Sequence, residues 1–136
     1  GLDARENRTL RPPPVALSRD PAQEIADWLQ LAAVANEAGD PETALELLFK
    51  VRQRDPNNAP AILAMLDIHF KQQSWSKLTF YIEKGMTLPS VVPEATRARF
   101  RMYLARGRRD LAQQVVDNLP ADSPLAKDLL QELTKT

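Results

Sequence analysis

The residues that could perform chemistry are few in this chain of 136 residues. It has one histidine, His69, and no cysteine, so disulfides and thiolate metal sites are excluded. Its four glycines form no G-x-G or P-loop spacing that could hold a phosphate. No cluster of histidine and carboxylates has the spacing of metal ligands. We therefore expect no catalytic residue, no metal and no cofactor, and predict that the chain is not an enzyme.

Two pairs of carboxylates have a structural explanation. Asp20 with Glu24, and Asp40 with Glu42, stand where helices are predicted to begin. A negative charge in the first turn of a helix is favoured by the helix dipole. These residues are therefore interpreted as helix-start charges, not as an acid and base pair.

Residues 25–56 predict two short amphipathic helices joined by a tight turn. Apolar residues three or four positions apart form one face of each helix. These residues are Trp28, Leu31, Ala32 and Ala35 in the first helix and Ala44, Leu45, Leu48 and Val51 in the second. The Gly39-Asp40-Pro41 sequence separates them, because Gly caps a helix end and Pro fits the first turn of the next helix. We expect Trp28 to pack between the two helices.

This pattern returns twice at one constant shift along the chain, with no gap. Trp28 maps to Ile62 and Thr96, and Gly39 maps to Gln73 and Gly107. The shift predicts repeats at 25–58, 59–92 and 93–126, within a helical domain at 22–136. The predicted helices are 22–38, 41–54, 58–72, 75–87, 93–106, 108–119 and 124–135.

These residues resemble the tetratricopeptide repeat family, whose pattern is W-x2-L-G-x2-Y, then A-x3-F, then P. The first unit matches with Trp28-x2-Leu31-Ala32, Ala44-x3-Leu48 and Pro56. The resemblance covers about residues 22–136. It implies an all-α fold, an α-solenoid of antiparallel helix pairs with three repeats and a C-terminal capping helix.

Three features depart from the family pattern. The third unit has Thr96 and Arg99 where large apolar residues are usual, so we expect its first helix to pack loosely. The second unit has Gln73 in place of a turn Gly and the bulky Leu78 in place of a small residue. His69 stands where the family often has a core aromatic residue, which favours a packed histidine over a ligand or a base.

The two ends of the chain differ in character. Residues 1–21 form a Pro-rich arm or linker, because Pro12-Pro13-Pro14 favours an extended conformation. The apolar residues 15–17 leave docking of this arm on the repeats open. At the other end, helix 124–135 is predicted to cap the array. Its apolar side comprises Leu125, Leu129, Leu130 and Leu133, and its solvent side comprises Lys127, Asp128, Gln131, Glu132 and Lys135.

The resemblance also implies a binding groove, lined by the first helix of each repeat and occupied by a segment of another protein. The predicted groove residues are Leu29, Ala33, Asn36, Glu37, Leu63, Asp67, Phe70, Lys71, Glu94, Arg97, Arg101 and Leu104. Some members of the family bind a C-terminal carboxylate through polar residues. Here Leu29, Ala33 and Ala64 stand at three of those positions, so an amphipathic or extended segment is the expected partner.

Charge is unevenly distributed, although the net charge is zero. Residues 22–49 carry six acids and no base. Residues 93–112 carry a predicted basic patch, formed by Arg97, Arg99, Arg101, Arg106, Arg108 and Arg109. This asymmetry leaves three alternatives open: solvated helix faces, self-assembly of acidic and basic repeats or by exchange of the arm, and binding of a membrane surface or nucleic acid. Nucleic acid is disfavoured by the pI of about 6.8.

The sequence thus predicts an adaptor that binds another polypeptide. Its resemblance is to bacterial repeat domains of envelope secretion or exopolysaccharide assemblies. No apolar run is long enough to span a membrane, so membrane association would come from a partner or from an anchor outside this sequence. The cytoplasm or the inner membrane surface is favoured as its location, and the periplasm stays open.

Overall fold

The computed structural model describes residues 20–135, and within this range the chain forms seven helices and no strand. The helices are α1 (Pro21–Glu37), α2 (Pro41–Arg54), α3 (Ala59–Lys71), α4 (Trp75–Gly85), α5 (Val92–Ala105), α6 (Arg109–Asp117) and α7 (Pro124–Lys135). The all-α class is confirmed, and each predicted helix exists with bounds within two residues of those expected. The predicted docking of residues 15–17 lies outside the described residues.

The chain forms two compact units, which divide between Arg54 and Asp55. The described part of the first unit consists of α1 and α2. Asp20 caps α1, because its Oδ1 accepts a hydrogen bond 3.0 Å long from the backbone N–H of Ala22. The buried residues of this pair are Ala32, Ala44, Leu48 and Val51. Small alanines on both helices allow the two backbones to approach closely.

The face of α1 differs from the prediction at two positions. Trp28 is only half-buried, and its ring contacts two cations of α2, with Lys50 Nζ at 5.8 Å and Arg54 Cζ at 5.1 Å from the ring centroid. Leu31 is 54% exposed, whereas its neighbour Ala32 is buried. The close packing of the pair is therefore centred on Ala32, and Trp28 covers the stems of the long cationic side chains.

The second unit consists of α3 to α7 and has two neighbouring groups of buried apolar residues. The first lies among α3, α4 and α5 and contains Ile62, Leu66, Leu78, Ile82, Val91, Ala95 and Met102. The second lies among α5, α6 and α7 and contains Phe100, Ala112, Val116, Leu129 and Leu133. Helix α5 contributes to both groups. It is therefore the element that joins the two halves of this unit.

Helix α4 ends at Gly85, whose missing side chain permits this packing. A Cβ at this position would meet Val91 Cγ1 at 2.9 Å and Ala95 Cβ at 3.1 Å. Both contacts are closer than ordinary van der Waals distances, so the C-terminal end of α4 meets the start of α5 only because residue 85 is Gly.

The expected loose packing of the third repeat's first helix is wrong. Thr96 on α5 is buried, and its hydroxyl donates a hydrogen bond of 2.8 Å to the carbonyl of Val92. Arg99 forms an ion pair with Glu83 of α4, with 2.7 Å between Nη2 and Oε2. Both polar side chains therefore have partners, and α5 packs as tightly as the other helices of its unit.

The cap helix α7 also differs from its predicted division into two sides. Leu129 and Leu133 are buried and Leu125 is half-buried, but Leu130 is 46% exposed. Glu132 was placed on the solvent side, yet it is half-buried and bound to α5. The buried side of α7 therefore includes Glu132, which pairs with Arg101 of α5, and excludes Leu130.

The three turns that follow α1, α3 and α5 have the same geometry. Gly39, Gln73 and Gly107 have left-handed φ values of 82°, 56° and 74°. Each turn is closed by a backbone hydrogen bond of 2.8–2.9 Å, from Asp40 N to Ala35 O, from Ser74 N to His69 O and from Arg108 N to Tyr103 O. Gln73 therefore has the left-handed backbone conformation that glycine has at the two equivalent positions, Gly39 and Gly107.

This turn supplies a test of the backbone strain. Left-handed backbone costs a non-glycine residue about 1–2 kcal/mol, and glycine loses part of that advantage through its flexible unfolded state. Gln73→Gly should therefore raise the free energy of unfolding by about 0.5–1 kcal/mol, measured by urea denaturation. Gly107→Ala is the matched control, because a Cβ there meets nothing within 4 Å. It should lower stability through φ alone, and a Gln73→Gly variant less stable than wild type would contradict the interpretation.

Candidate functional site

A cleft of about 340 Å³ lies between α3 and α5 in the second unit. Leu63, Leu66, Asp67 and Phe70 line it from α3, and Glu94, Arg97, Ala98 and Arg101 line it from α5. The spacing of these positions by three, four and seven residues places them along one face of each helix. The two helices lie side by side, so these faces form a continuous channel wall.

The cleft has an apolar floor and a charged rim. Leu63, Leu66, Phe70 and Ala98 supply the apolar surface. The Phe70 ring packs against the Trp75 ring in an edge-to-face contact, with ring centroids 5.9 Å apart. Ala98 leaves room between the long side chains on either side of it. The floor can therefore accept an apolar side chain without rearrangement.

Helix α7 holds the arginines of the rim in place. Arg101 forms a two-point ion pair with Glu132, at 2.6 Å from Nη2 to Oε1 and 3.2 Å from Nε to Oε2. Arg97 is placed among three carboxylates, at 3.7 Å from Glu94 and 3.9 Å from both Asp128 and Glu132. The planar guanidinium of arginine suits such two-point pairing.

The ion pair changes the proton affinity of both partners. The hydrogen bond from Arg101 lowers the pKa of Glu132 below its usual 4.5, against a smaller effect of burial. The same hydrogen bond raises the pKa of Arg101. Both groups therefore stay charged at neutral pH, and the rim keeps its arrangement.

Several predicted groove residues line this cleft, and others lie elsewhere. Leu63, Asp67, Phe70, Arg97 and Arg101 are brought together, and so is Glu94. Lys71 pairs with Asp67 at 3.1 Å but does not line the cleft, and Leu104 packs beside the Phe100 group. The remaining predicted positions lie on α1 in the first unit, namely Leu29, Ala33, Asn36 and Glu37.

Two further residues line the cleft that are not among the predicted groove residues, Leu66 and Ala98. Ala98 carries a usable signal, because it lies four residues after Glu94 and three before Arg101, which places it on the predicted face. Leu66 is buried, and only its edge reaches the cleft. No sequence signal separates such an edge from a wholly internal leucine.

The predicted basic patch is largely paired with acids. Besides Arg97 and Arg101, Arg99 binds Glu83, and Arg108 binds Asp110 at 3.1 Å. The Nη2 of Arg109 donates a hydrogen bond of 2.7 Å to the carbonyl of Leu133. Only the exposed Arg106 has no such partner among residues 20–135. The concentration of positive charge in the sequence is therefore not a concentration of unpaired charge on the surface.

His69 is buried and stacks on Tyr81, with ring centroids 5.4 Å apart and an angle of 11° between the planes. Its Nδ1 is buried without a hydrogen-bond partner. Burial lowers the pKa of His69, and the nearby Lys77 lowers it further. Nothing in this setting orients the imidazole as a base, and the described residues contain no group of three or more metal-ligating side chains.

None of the helices in the described range is both long and apolar enough to cross a membrane.

The buried histidine predicts a pH effect on stability. The unfolded chain takes up a proton at His69 as the pH falls through 6.5, but the folded chain does so only at lower pH. The contribution of His69 to the free energy of unfolding is thus complete above pH 6.5 and decreases below it. His69→Phe should remove this decrease between about pH 7 and 5, and should raise the free energy of unfolding by about 1 kcal/mol by removing the unpaired Nδ1. Urea denaturation at several pH values measures both, and an unchanged pH slope would contradict the assignment.

One family of known proteins matches part of the chain. A family model described as tetratricopeptide repeat matches residues 25–78. No curated protein matches the chain. The matched residues include all of α2 and α3 and the Gly39 and Gln73 turns, whose hydrogen bonds recur at the spacing of the sequence repeat. Residues 25–78 of this chain are therefore similar to the tetratricopeptide repeat family, in agreement with the resemblance carried by the sequence motifs.

Proposed function

We propose that the chain is an adaptor that binds a segment of another polypeptide in the α3–α5 cleft. Repeats of this family are typically non-catalytic modules that bind proteins or peptides. The observation that carries the proposal is the cleft itself, which combines an apolar floor with charges of both signs on its rim. This composition suits a peptide that buries one or two side chains and pairs its polar groups at the edge.

The floor would provide most of the affinity. Leu63 and Phe70 lie seven residues apart on α3, so they stand about two helical turns from each other along the cleft. A partner segment with apolar side chains at a matching separation would cover both. Buried apolar anchors of this kind usually dominate the binding energy of an interface.

The rim would fix the direction and register of the segment. Asp67 on one wall and Arg97 on the other offer opposite charges across the floor. Arg97 is surrounded by carboxylates at 3.7–3.9 Å, distances that leave its donors free to bind a closer acceptor. Arg101 already pairs with Glu132, with 2.6 Å between Nη2 and Oε1. Its side chain therefore forms a fixed side of the cleft.

We propose the repeat boundaries 25–58, 59–92 and 93–126, with α7 as the cap. The recurrence of the same turn hydrogen bonds at the spacing of the sequence repeat supports this division. Work within a larger protein assembly would suit an adaptor of this kind. A bacterial secretion or polysaccharide-export assembly remains a hypothesis based on sequence resemblance alone.

The alternative of an electrostatic site on the third repeat has less support. Four of its six arginines bind acids or a carbonyl closely within the chain, and Arg97 lies 3.7–3.9 Å from three carboxylates, so their attraction for a membrane surface or nucleic acid is reduced.

Binding in the cleft can be tested with peptides selected from a random display library against the full chain. Leu63→Ala and Phe70→Ala should each weaken the selected peptides by about 30-fold, which corresponds to about 2 kcal/mol per anchor. Titration calorimetry measures the affinity, and a thermal melt confirms that each variant folds.

Two control variants locate the site. Phe80→Ala removes an exposed phenylalanine of α4 that does not line the cleft, and it should leave binding unchanged. Arg106→Ala tests the basic surface. Selected peptides that bind both cleft variants as tightly as wild type, or that lose affinity only with Arg106→Ala, would refute the cleft as the binding site.

A further inference from the structure

A second apolar groove lies along α7, on the side away from α5. It has a volume of about 310 Å³. Its lining residues are Val116, Asp117 and Leu119 of α6 and its C-terminal end, Ala121 of the connecting loop, and Ala126, Lys127 and Leu130 of α7. Leu130 is 46% exposed there. A groove of this composition along a helix is a surface on which an apolar helix face can pack.

The acids and the lysines of α7 differ in their neighbours, although the helix contains equal numbers of acids and bases. Its acids Asp128 and Glu132 are turned toward Arg97 and Arg101 of α5. Lys127 instead lines the groove, three residues before Leu130. The groove therefore offers an apolar surface with one lysine, Lys127, and one acid, Asp117, whose Oδ1 accepts a hydrogen bond from Gln113.

Helix α1 carries a surface of the opposite character. Leu31 and Val34 are 54% and 57% exposed, and Asp27 lies one turn before them on the same side. Three acids and no Lys or Arg occur in α1. Two large exposed aliphatic residues three positions apart on an acidic helix form a ridge that can enter an apolar groove.

We propose that α1 of one molecule docks in the α6–α7 groove of a second copy of this chain. Leu31 and Val34 contact Leu130 in this arrangement, and Asp27 faces Lys127. The interface is heterologous, because the two contributing surfaces are different. A pair of copies leaves one ridge and one groove unused, so association continues beyond two chains. This inference is independent of the α3–α5 cleft, which the interface does not use.

The expected association is weak. One helical ridge in one groove buries less surface than a stable dimer interface, which typically buries about 1,200–2,000 Å². Self-association should therefore be visible only at high protein concentration. It should also weaken when salt screens the pair between Asp27 and Lys127.

Sedimentation equilibrium of the full chain between about 10 µM and 1 mM tests the proposal, because a weak interface has a dissociation constant in this range. The average mass should rise with concentration without reaching a plateau. Leu31→Glu and Leu130→Glu should each abolish this rise. Both positions are exposed, so the folds should survive, and circular dichroism checks this. Phe80→Glu is the matched control at an exposed site outside both surfaces and should leave association unchanged.

Two combinations separate this interface from any other. Mixing the Leu31→Glu and Leu130→Glu variants should give a mass that stops at two chains, because each variant retains one of the two surfaces. Asp27→Lys and Lys127→Glu should each weaken association, and the double variant should restore it. A wild-type chain that stays monomeric, association that survives either glutamate variant, or a charge swap without rescue would overturn the proposal.

Discussion

The second unit depends on the contact between α7 and one turn of α5. Phe100 and Arg101 are adjacent in the sequence but belong to different surfaces. Phe100 is fully buried with Leu129 and Leu133, and Arg101 pairs with Glu132 at the edge of the cleft. Three residues of α7 within a span of five thus fix both the core and the cleft rim. A cleft with a defined shape requires this helix to be in place.

The contact between α7 and α5 also determines which charged side chains of these helices are paired. Counting residues in the sequence indicates a basic third repeat, which leaves an electrostatic site open as one alternative. In the structure α4, α6 and α7 supply acids or carbonyls to five of the six arginines. The α7 acids Asp128 and Glu132 lie near these arginines, whereas Lys127 lines the groove on α7. Charge patterns therefore acquire meaning only once the packing partner of each helix is known.

Much of the fold follows from local rules in the sequence. Helix bounds follow from Gly and Pro positions such as Gly39 and Pro41, and the repeat follows from matches at one constant shift. The cleft residues Leu63, Asp67 and Phe70 follow from helical periodicity, because their spacing places them on one face.

Other features depend on contacts that periodicity does not specify. Ala32, not Leu31, is the buried residue of α1, because the close approach of α2 selects a small side chain. Glu132 faces α5 since an arginine lies opposite it, which no pattern within α7 reveals. Gln73 has a left-handed backbone conformation at a position where the other repeats have glycine. Gly85 lies at the end of α4, where a side chain would be too close to Val91 and Ala95. The pairing of Glu132 with Arg101 thus results from a partner distant in the sequence, whereas Gln73 and Gly85 have their neighbours in adjoining segments.

Amide hydrogen exchange of the full chain tests most directly whether α7 and α5 form one cooperative unit. If they do, the amides of Leu129 and Leu133 should open with the same free energy as that of Phe100, and all three should lose protection together as urea is added. Exchange at Leu129 and Leu133 that is orders of magnitude faster, with Phe100 still protected, would contradict the account. It would mean that α7 detaches while the core and the cleft persist without it.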